Sequence, residues 1–168
     1  MSTMISRLQE VDWEQAYGSL NKKGYVLLPS ILNTAASSSL KKLYQLPNVP
    51  FRKVVQMERY RFGKGTYKYF DYPLPEPVQL LREAIYHYLA PIANLWHNQL
   101  NGAPADAITS YYPSALEGFL KRCRGQGQTK PTPLILEYSI GDYNTMHQDL
   151  YGEIYFPFQA VLFLSSPG

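Results

Sequence analysis

The sequence is poor in cysteine and has no long apolar run. Its 168 residues contain one cysteine, Cys123, which excludes an intramolecular disulfide and suits a reducing cytoplasm. The first residues, Met-Ser-Thr-Met-Ile-Ser-Arg, lack the apolar stretch of a signal peptide or membrane span. We therefore predict a cytoplasmic protein with no membrane partner.

Basic residues are missing from the last part of the sequence. All 16 Lys and Arg residues lie in residues 1–130, whereas residues 131–168 contain four acidic residues and no basic one. An acidic, apolar segment of this kind suits a cation site, because no basic group competes with the cation for the carboxylates.

The apolar content of 45% and aromatic content of 14% predict one globular domain over residues 1–168. Residues 1–130 read as a helix-rich part and residues 131–168 as a β-rich part. The first predicted helix has Asp12 as its N-cap, runs through about Lys22 and stops at Gly24, and the second covers Thr34 to Gln45 with Asn33 as its cap. The other predicted helices run from Leu80 to Trp96 with a kink at Pro91, and from Ser114 to about Arg124. The predicted strands are Tyr25–Leu28, Lys53–Met57, Thr66–Phe70, Leu134–Tyr138 and Phe156–Leu164.

A basic, aromatic β-hairpin is predicted between Phe51 and Tyr72, with glycines at Gly63 and Gly65 for its bend. Its plain interpretation is a solvated sheet edge, where basic residues oppose aggregation. Its functional interpretation is a surface that grips a peptide or a nucleic-acid backbone. The candidate substrate-binding residues are Arg59, Arg61, Tyr67 and Tyr69.

The most informative motif is His147-Gln148-Asp149. Two residues that lie two apart on an extended segment point to the same side, so the imidazole of His147 and the carboxylate of Asp149 can converge on one divalent ion. A pair of this kind also occurs by chance in loops and cores. We predict a metal site here because a strand and a Gly-Asp turn precede the motif and an apolar run follows it.

In this order of elements the sequence resembles the iron(II)/2-oxoglutarate-dependent oxygenases, nearest to the prolyl-4-hydroxylase-like bacterial branch. The resemblance implies an α+β fold, with N-terminal helices packed on an incomplete double-stranded β-helix, or jelly roll. It also implies iron(II) and 2-oxoglutarate as cofactors. His147 and Asp149 then match the first two ligands of a 2-His-1-carboxylate triad.

Two tyrosines near the motif match cofactor-binding positions of this family. Tyr138 corresponds to a strand tyrosine that hydrogen-bonds the distal carboxylate of 2-oxoglutarate, and Tyr143 falls in a loop that places a second tyrosine near the iron. Each also has an ordinary interpretation as a packed aromatic, since tyrosine is common in strands.

The sequence departs from the family pattern after His147, where it has no further histidine and no basic residue. We therefore expect an N-terminal part or a natural truncation of an oxygenase, inactive alone, that pairs with a missing C-terminal segment or with a second copy through Phe156–Leu164. The expected function is hydroxylation of a peptide or small molecule. The alternatives are oxidative demethylation of nucleic acid and a non-catalytic dimerising or binding remnant.

Overall fold

The computed structural model describes residues 2–103, 110–149 and 152–165, and within them the chain forms five α-helices and five short strands. The helices are α1 Ser2–Gln9, α2 Trp13–Lys23, α3 Thr34–Lys42, α4 Glu76–Leu100 and α5 Leu116–Gly125. The strands are β1 Phe51–Gln56, β2 Gly63–Lys64, β3 Thr66–Phe70, β4 Leu134–Glu137 and β5 Tyr143–Asn144. A 3-10 turn, Met57–Tyr60, follows β1.

Two predicted helix starts are confirmed. The Asp12 carboxylate accepts a hydrogen bond from the Gln15 amide at 2.9 Å, and the Asn33 side chain accepts one from the Ala36 amide at 2.8 Å. Each cap satisfies a backbone N–H that has no acceptor within its helix. Gly24, with φ +79°, ends α2 as predicted.

Helix α4 carries the hydrophobic core and continues through Pro91 to Leu100. On one side Leu81 packs against Met4 and Leu8 of α1. On another side α4 packs against α5 and the residues before it. The buried residues of this second cluster are Tyr86, Ala90, Ala93, Tyr112, Leu116, Phe119 and Cys123.

The predicted hairpin is confirmed as part of a three-stranded antiparallel sheet. Strand β3 lies between β1 and β4, and Gly63 and Gly65 before it have φ of +123° and +137°. On one face Phe70 and Ile135 are buried with Leu74, so the residues leading into α4 cover that face. The mixed helix and sheet content confirms the α+β class, whereas the jelly roll remains a prediction.

A second, two-stranded sheet joins the segment after β4 to the hairpin. Gly63 of β2 pairs with Asn144 of β5, and Lys64 pairs with Tyr143. This pairing holds the segment that leads to His147 against the hairpin.

Two strand predictions are wrong. Tyr25–Leu28 forms no strand, and Tyr25 and Leu27 are 59% and 77% exposed, because no described strand lies beside them. The described residues 152–165 contain no strand either. In that segment Phe156 packs on Tyr86, so side-chain contacts with the helices take the place of strand pairing.

The segment 152–165 is also attached by a side chain. The Gln128 amide donates to the Ile154 carbonyl at 2.7 Å and accepts from the Ile154 amide at 2.9 Å.

Helix α5 departs in detail from its prediction, since Ala115 precedes it and no side chain, including that of Ser114, caps its start. No described helix has the length and apolar character needed to cross a bilayer.

Candidate metal centre

His147 and Asp149 lie side by side. The His147 Nε2 atom is 3.5 Å from the Asp149 Oδ2 atom, and the two side chains are 42% and 45% exposed. Both groups therefore face each other at a surface that a cation can reach.

The second ring nitrogen of His147 is held by the backbone. Its Nδ1 atom lies 2.8 Å from the Thr145 carbonyl oxygen. A carbonyl can only accept, so Nδ1 carries the proton, and in the neutral ring the lone pair is on Nε2. Two electron-pair donors, Nε2 and the Asp149 carboxylate, then face each other, and a metal ion between them could accept both.

The Asp149 carboxylate has a further contact from the C-terminal segment. The Gln159 Nε2 group donates to Asp149 Oδ2 at 3.1 Å. Gln159 is a polar residue within the apolar run Phe156–Leu164, and its side chain could have bonded a neighbouring backbone group. It instead contacts the acidic member of the dyad.

A tight turn at Ser139–Asp142 begins the segment that carries the dyad. The Asp142 amide donates to the Ser139 carbonyl at 3.0 Å, and the Ser139 amide donates to the Asp142 carboxylate at 2.8 Å. Gly141 has φ +85°, a left-handed conformation that glycine adopts without strain. Lys64 of the hairpin pairs with the same carboxylate at 3.1 Å.

These contacts set the charge state of Asp142. The hydrogen bond from the Ser139 amide and the bond from Lys64 both favour the carboxylate, so they hold the pKa of Asp142 below its ordinary value of 3.8. The turn is therefore held by an ionised group at neutral pH.

Close backbone contact brings the hairpin against the residues before His147. The Thr145 amide and hydroxyl both donate to the Phe62 carbonyl, at 2.9 and 3.0 Å. A Cβ at Gly63 would lie 2.2 Å from the Tyr143 carbonyl oxygen, so the two strands meet only because Gly63 has no side chain. The carbonyl that orients His147 thus belongs to a residue anchored on the hairpin.

Tyr138 and Tyr143 occupy different surroundings. The Tyr138 ring covers Gly65, where a Cβ would lie 2.7 Å from the ring, and Tyr138 is 44% exposed. Burial raises the pKa of its phenol, the Asp142 charge adds to the rise, and a hydrogen bond with Asn144 opposes it. Tyr143 is 59% exposed on β5. The cofactor roles of both residues remain predictions.

The predicted substrate residues lie in two groups on the hairpin. Tyr67 and Tyr69 contact each other edge to face on β3, with ring centroids 5.4 Å apart, and the Arg52 guanidinium lies 4.1 Å over Tyr69. Arg59 and Arg61 are exposed in and after the 3-10 turn. Neither arginine forms an ion pair with another described residue.

An exposed aromatic pair in the same hairpin was not among the predicted residues. The rings of Tyr60 and Phe62 stack with centroids 5.7 Å apart and planes 19° apart, and they are 52% and 43% exposed. Lys53 lies 5.6 Å from the Tyr60 ring. The alternation of aromatic and basic residues from Arg59 to Phe62 was the available sequence signal.

The described residues do not supply a third ligand of the predicted type. No group of three or more His, Cys, Asp and Glu side chains in this part of the chain is placed to hold a metal ion. His97 stacks on Tyr111 with centroids 3.9 Å apart, and Glu83 accepts a hydrogen bond from Gln79.

Comparison with known proteins decides the family. The family model Oxygenase-NA, described as an oxygenase catalysing oxidative methylation of damaged DNA, matches residues 65–168. The chain belongs to this oxygenase family. The match includes the hairpin strand β3, the turn after β4 and the His147–Asp149 dyad.

Relatives of this chain occur in Mycobacterium tuberculosis. Two uncharacterized proteins, from two strains, are each 42% identical to the chain over 98 residues, which is 58% of the chain and 40% of each relative. The chain thus spans about 40% of the length of these relatives. No solved structure matches it.

The family match confirms membership of an oxygenase family. The iron(II)/2-oxoglutarate chemistry, the prolyl-4-hydroxylase-like branch and the roles of the individual site residues remain predictions.

Proposed function

We propose that this chain is the dyad-bearing part of an iron(II)/2-oxoglutarate-dependent oxygenase that acts on alkylated nucleic acid. The observation that carries the proposal is the pair of His147 Nε2 and Asp149 Oδ2, 3.5 Å apart, on a segment tied to a basic aromatic hairpin. The description of the family as acting on damaged DNA supports the choice of substrate.

The dyad fits two positions of an octahedral ion. Ligands about 2.1 Å from one ion and at right angles to each other lie about 3.0 Å apart, so a small side-chain movement brings the two donors to that spacing. An imidazole and a carboxylate are the ligands expected of non-haem iron(II). A complete site needs a further histidine and a basic group for 2-oxoglutarate, which the sequence after His147 does not contain.

When bound, the iron and 2-oxoglutarate supply the oxidant for hydroxylation of a substrate C–H bond. The work of this chain is to bind and orient. Thr145 fixes the proton on His147 Nδ1, and Gln159 donates to Asp149. On an N-methylated base, oxidation of the methyl carbon allows its loss as formaldehyde, so demethylation is the expected outcome.

The hairpin offers the two kinds of group that a single-stranded nucleic acid requires. Arg59 and Arg61 are exposed cations for the phosphates, and the Tyr60–Phe62 pair presents ring surface to a base. Phe62 is also the residue whose carbonyl accepts from Thr145. A base stacked on this pair therefore lies on a surface continuous with the dyad segment.

Binding of a fluorescent single-stranded oligonucleotide, followed by anisotropy, tests the substrate class. Tyr60→Leu should weaken binding about tenfold, since base–aromatic stacking contributes about 1–3 kcal/mol per base. Tyr25→Leu is the matched control, because Tyr25 is an equally exposed tyrosine outside the hairpin. Equal losses in both variants, or no binding by the parent chain, would contradict a nucleic-acid substrate.

Titration with Mn(II) as a stand-in for iron(II), monitored by electron paramagnetic resonance, tests the metal site. We expect weak binding that is lost in His147→Ala. Binding that survives this substitution would exclude the dyad as the site.

A hydroxylase of the prolyl-4-hydroxylase-like branch is the second candidate, favoured by the position of Tyr138 at the end of β4. In that case Tyr138→Phe should weaken 2-oxoglutarate binding in the presence of Mn(II), measured by calorimetry. Tyr143→Phe should weaken it less. Equal binding by both variants and the parent would remove this support.

Pairing with a second copy remains a proposal as well. Val161 and Phe163 are 66% and 82% exposed on the segment predicted to pair. Light scattering of the parent chain and a Phe163→Ser variant would show whether a dimer exists and depends on this segment.

A further inference from the structure

Gln159 is a polar residue within an otherwise apolar run, and its side chain crosses to the dyad. Its Nε2 group donates to Asp149 Oδ2 at 3.1 Å, and Oδ2 is also the carboxylate oxygen nearest to His147 Nε2. The two residues are ten positions apart, on segments that share no strand pairing. This hydrogen bond therefore fixes the carboxylate relative to a second part of the chain.

We propose that Gln159 is a positioning residue for the metal site, which orients Asp149 so that a single oxygen faces the ion. This inference rests on the proposed function. A carboxylate rotates about its terminal bond, and without a fixed donor either oxygen, or both, can turn towards His147. A hydrogen bond to Oδ2 leaves that oxygen a second lone pair for the ion and lowers the freedom lost on binding.

The same logic applies on the other side of the site. The Thr145 carbonyl orients His147 through Nδ1 as Gln159 orients Asp149 through Oδ2. Outer hydrogen bonds of this type generally change metal affinity by about 10- to 100-fold. The two donors are therefore each held from outside: His147 from the hairpin side and Asp149 from the C-terminal segment.

Mn(II) titration of the parent chain, Gln159→Leu, Gln159→Asn and Gln99→Leu tests the proposal. Gln159→Leu should bind Mn(II) about tenfold more weakly with an unchanged thermal unfolding midpoint. Gln159→Asn keeps the amide on a shorter side chain, so its affinity for Mn(II) should lie between those of the parent chain and Gln159→Leu. Gln99→Leu, an equivalent change on the exposed end of α4, should bind like the parent.

A second readout needs no metal. Long-range nitrogen NMR should show the proton of neutral His147 on Nδ1 in the parent and in Gln159→Leu, since Thr145 holds the ring independently of Gln159. Loss of that tautomer in the variant would mean that the substitution rearranges the whole segment, and would overturn a specific role in orienting Asp149.

The two proposals fail in different ways. Mn(II) binding that is lost in His147→Ala but unchanged in Gln159→Leu would overturn the positioning role and leave the metal site standing. No Mn(II) binding by the parent chain, or binding that persists in His147→Ala, would overturn the metal site and the positioning role with it.

Discussion

The α4 core and the dyad segment, residues 139–149, are stabilised in different ways. In the core, Leu8, Ala90 and Ala93 are at most 1% exposed, and aromatic rings pack around them. In the dyad segment, Ile140 and Met146 are fully exposed and the attachments are polar. Burial thus holds the scaffold, whereas a few hydrogen bonds and one ion pair hold the site.

Because of this difference, the residues that stabilise the fold can be substituted separately from those that position the dyad. A buried side chain contributes through area and packing, so its truncation is costly everywhere in the core. An exposed tether contributes little to the free energy of unfolding but determines where one atom lies. Substitutions in the core should therefore lower mainly the free energy of unfolding, whereas substitutions of the tethers in the dyad segment should weaken mainly the binding of a metal ion.

The largest expected loss of stability is in the core. Leu8→Ala removes a side chain that is 1% exposed between α1 and α4, and it should lower the free energy of unfolding by about 3 kcal/mol. Urea denaturation followed by circular dichroism measures this. A loss below about 1 kcal/mol would show that α1 is not part of the cooperative core.

The contact between hairpin and dyad segment should come next. At Gly63, with φ +123°, an added Cβ would meet the Tyr143 carbonyl, so Gly63→Ala should cost about 2 kcal/mol and open the β2–β5 pair. Hydrogen exchange at the Asn144 and Thr145 amides reports the opening. Gly18→Ala, in the middle of α2 with open space around it, should instead stabilise by about 0.5–1 kcal/mol. Equal effects of the two alanines would contradict the close approach.

A single core hydrogen bond should matter less. Tyr86 donates to the Pro113 carbonyl at 2.7 Å, and Tyr86→Phe should cost about 1 kcal/mol with the ring packing kept. Burial raises the pKa of Tyr86 to about 12. Ionisation removes the proton that Tyr86 donates. The contribution of this hydrogen bond to stability is therefore present below pH 10 and is lost as the pH rises towards 12. An ultraviolet titration in which all tyrosines ionise near pH 10 would contradict it.

The smallest effect is expected for the ion pair at the turn. Because the pKa of folded Asp142 is below 3.8, its contribution is present above that value and is lost as the pH falls through the lower one. Asp142→Asn should lower the urea midpoint slightly at neutral pH and not at all in strong acid. A Lys64→Met background should remove most of the difference. A pH-independent difference would rule out the charge as its cause.

Sequence patterns predicted the elements whose causes are local. The caps at Asp12 and Asn33, the stop at Gly24 and the glycines of the hairpin each act on their own neighbours, and each is found where predicted. The side chains of His147 and Asp149 also lie close together, as their spacing of two residues favours.

The sequence patterns failed where contacts between residues far apart in the sequence determine the local structure. Short apolar runs predicted strands at Tyr25–Leu28 and Phe156–Leu164, but a strand requires a neighbouring strand, which the run itself does not specify. The bonds from Gln159 to Asp149 and from Thr145 to Phe62 join residues 10 and 83 positions apart. No local rule identifies such contacts.

The Gln128 clamp on Ile154 has a consequence for the site. One side-chain amide engages both the N–H and the C=O of a single residue, as a neighbouring strand would. Gly152, with φ +80°, lets the chain pass so close to Gln128 that a Cβ would lie 2.6 Å from its amide. These two hydrogen bonds therefore fix the position of Ile154 along the chain's path. They set the register of the residues that follow, so that Phe156 packs against the core and Gln159 reaches Asp149. An insertion or deletion of one residue between Ile154 and Gln159 would shift this register. The hydrogen bond from Gln159 to Asp149 would then be lost, although the composition of the segment would hardly change.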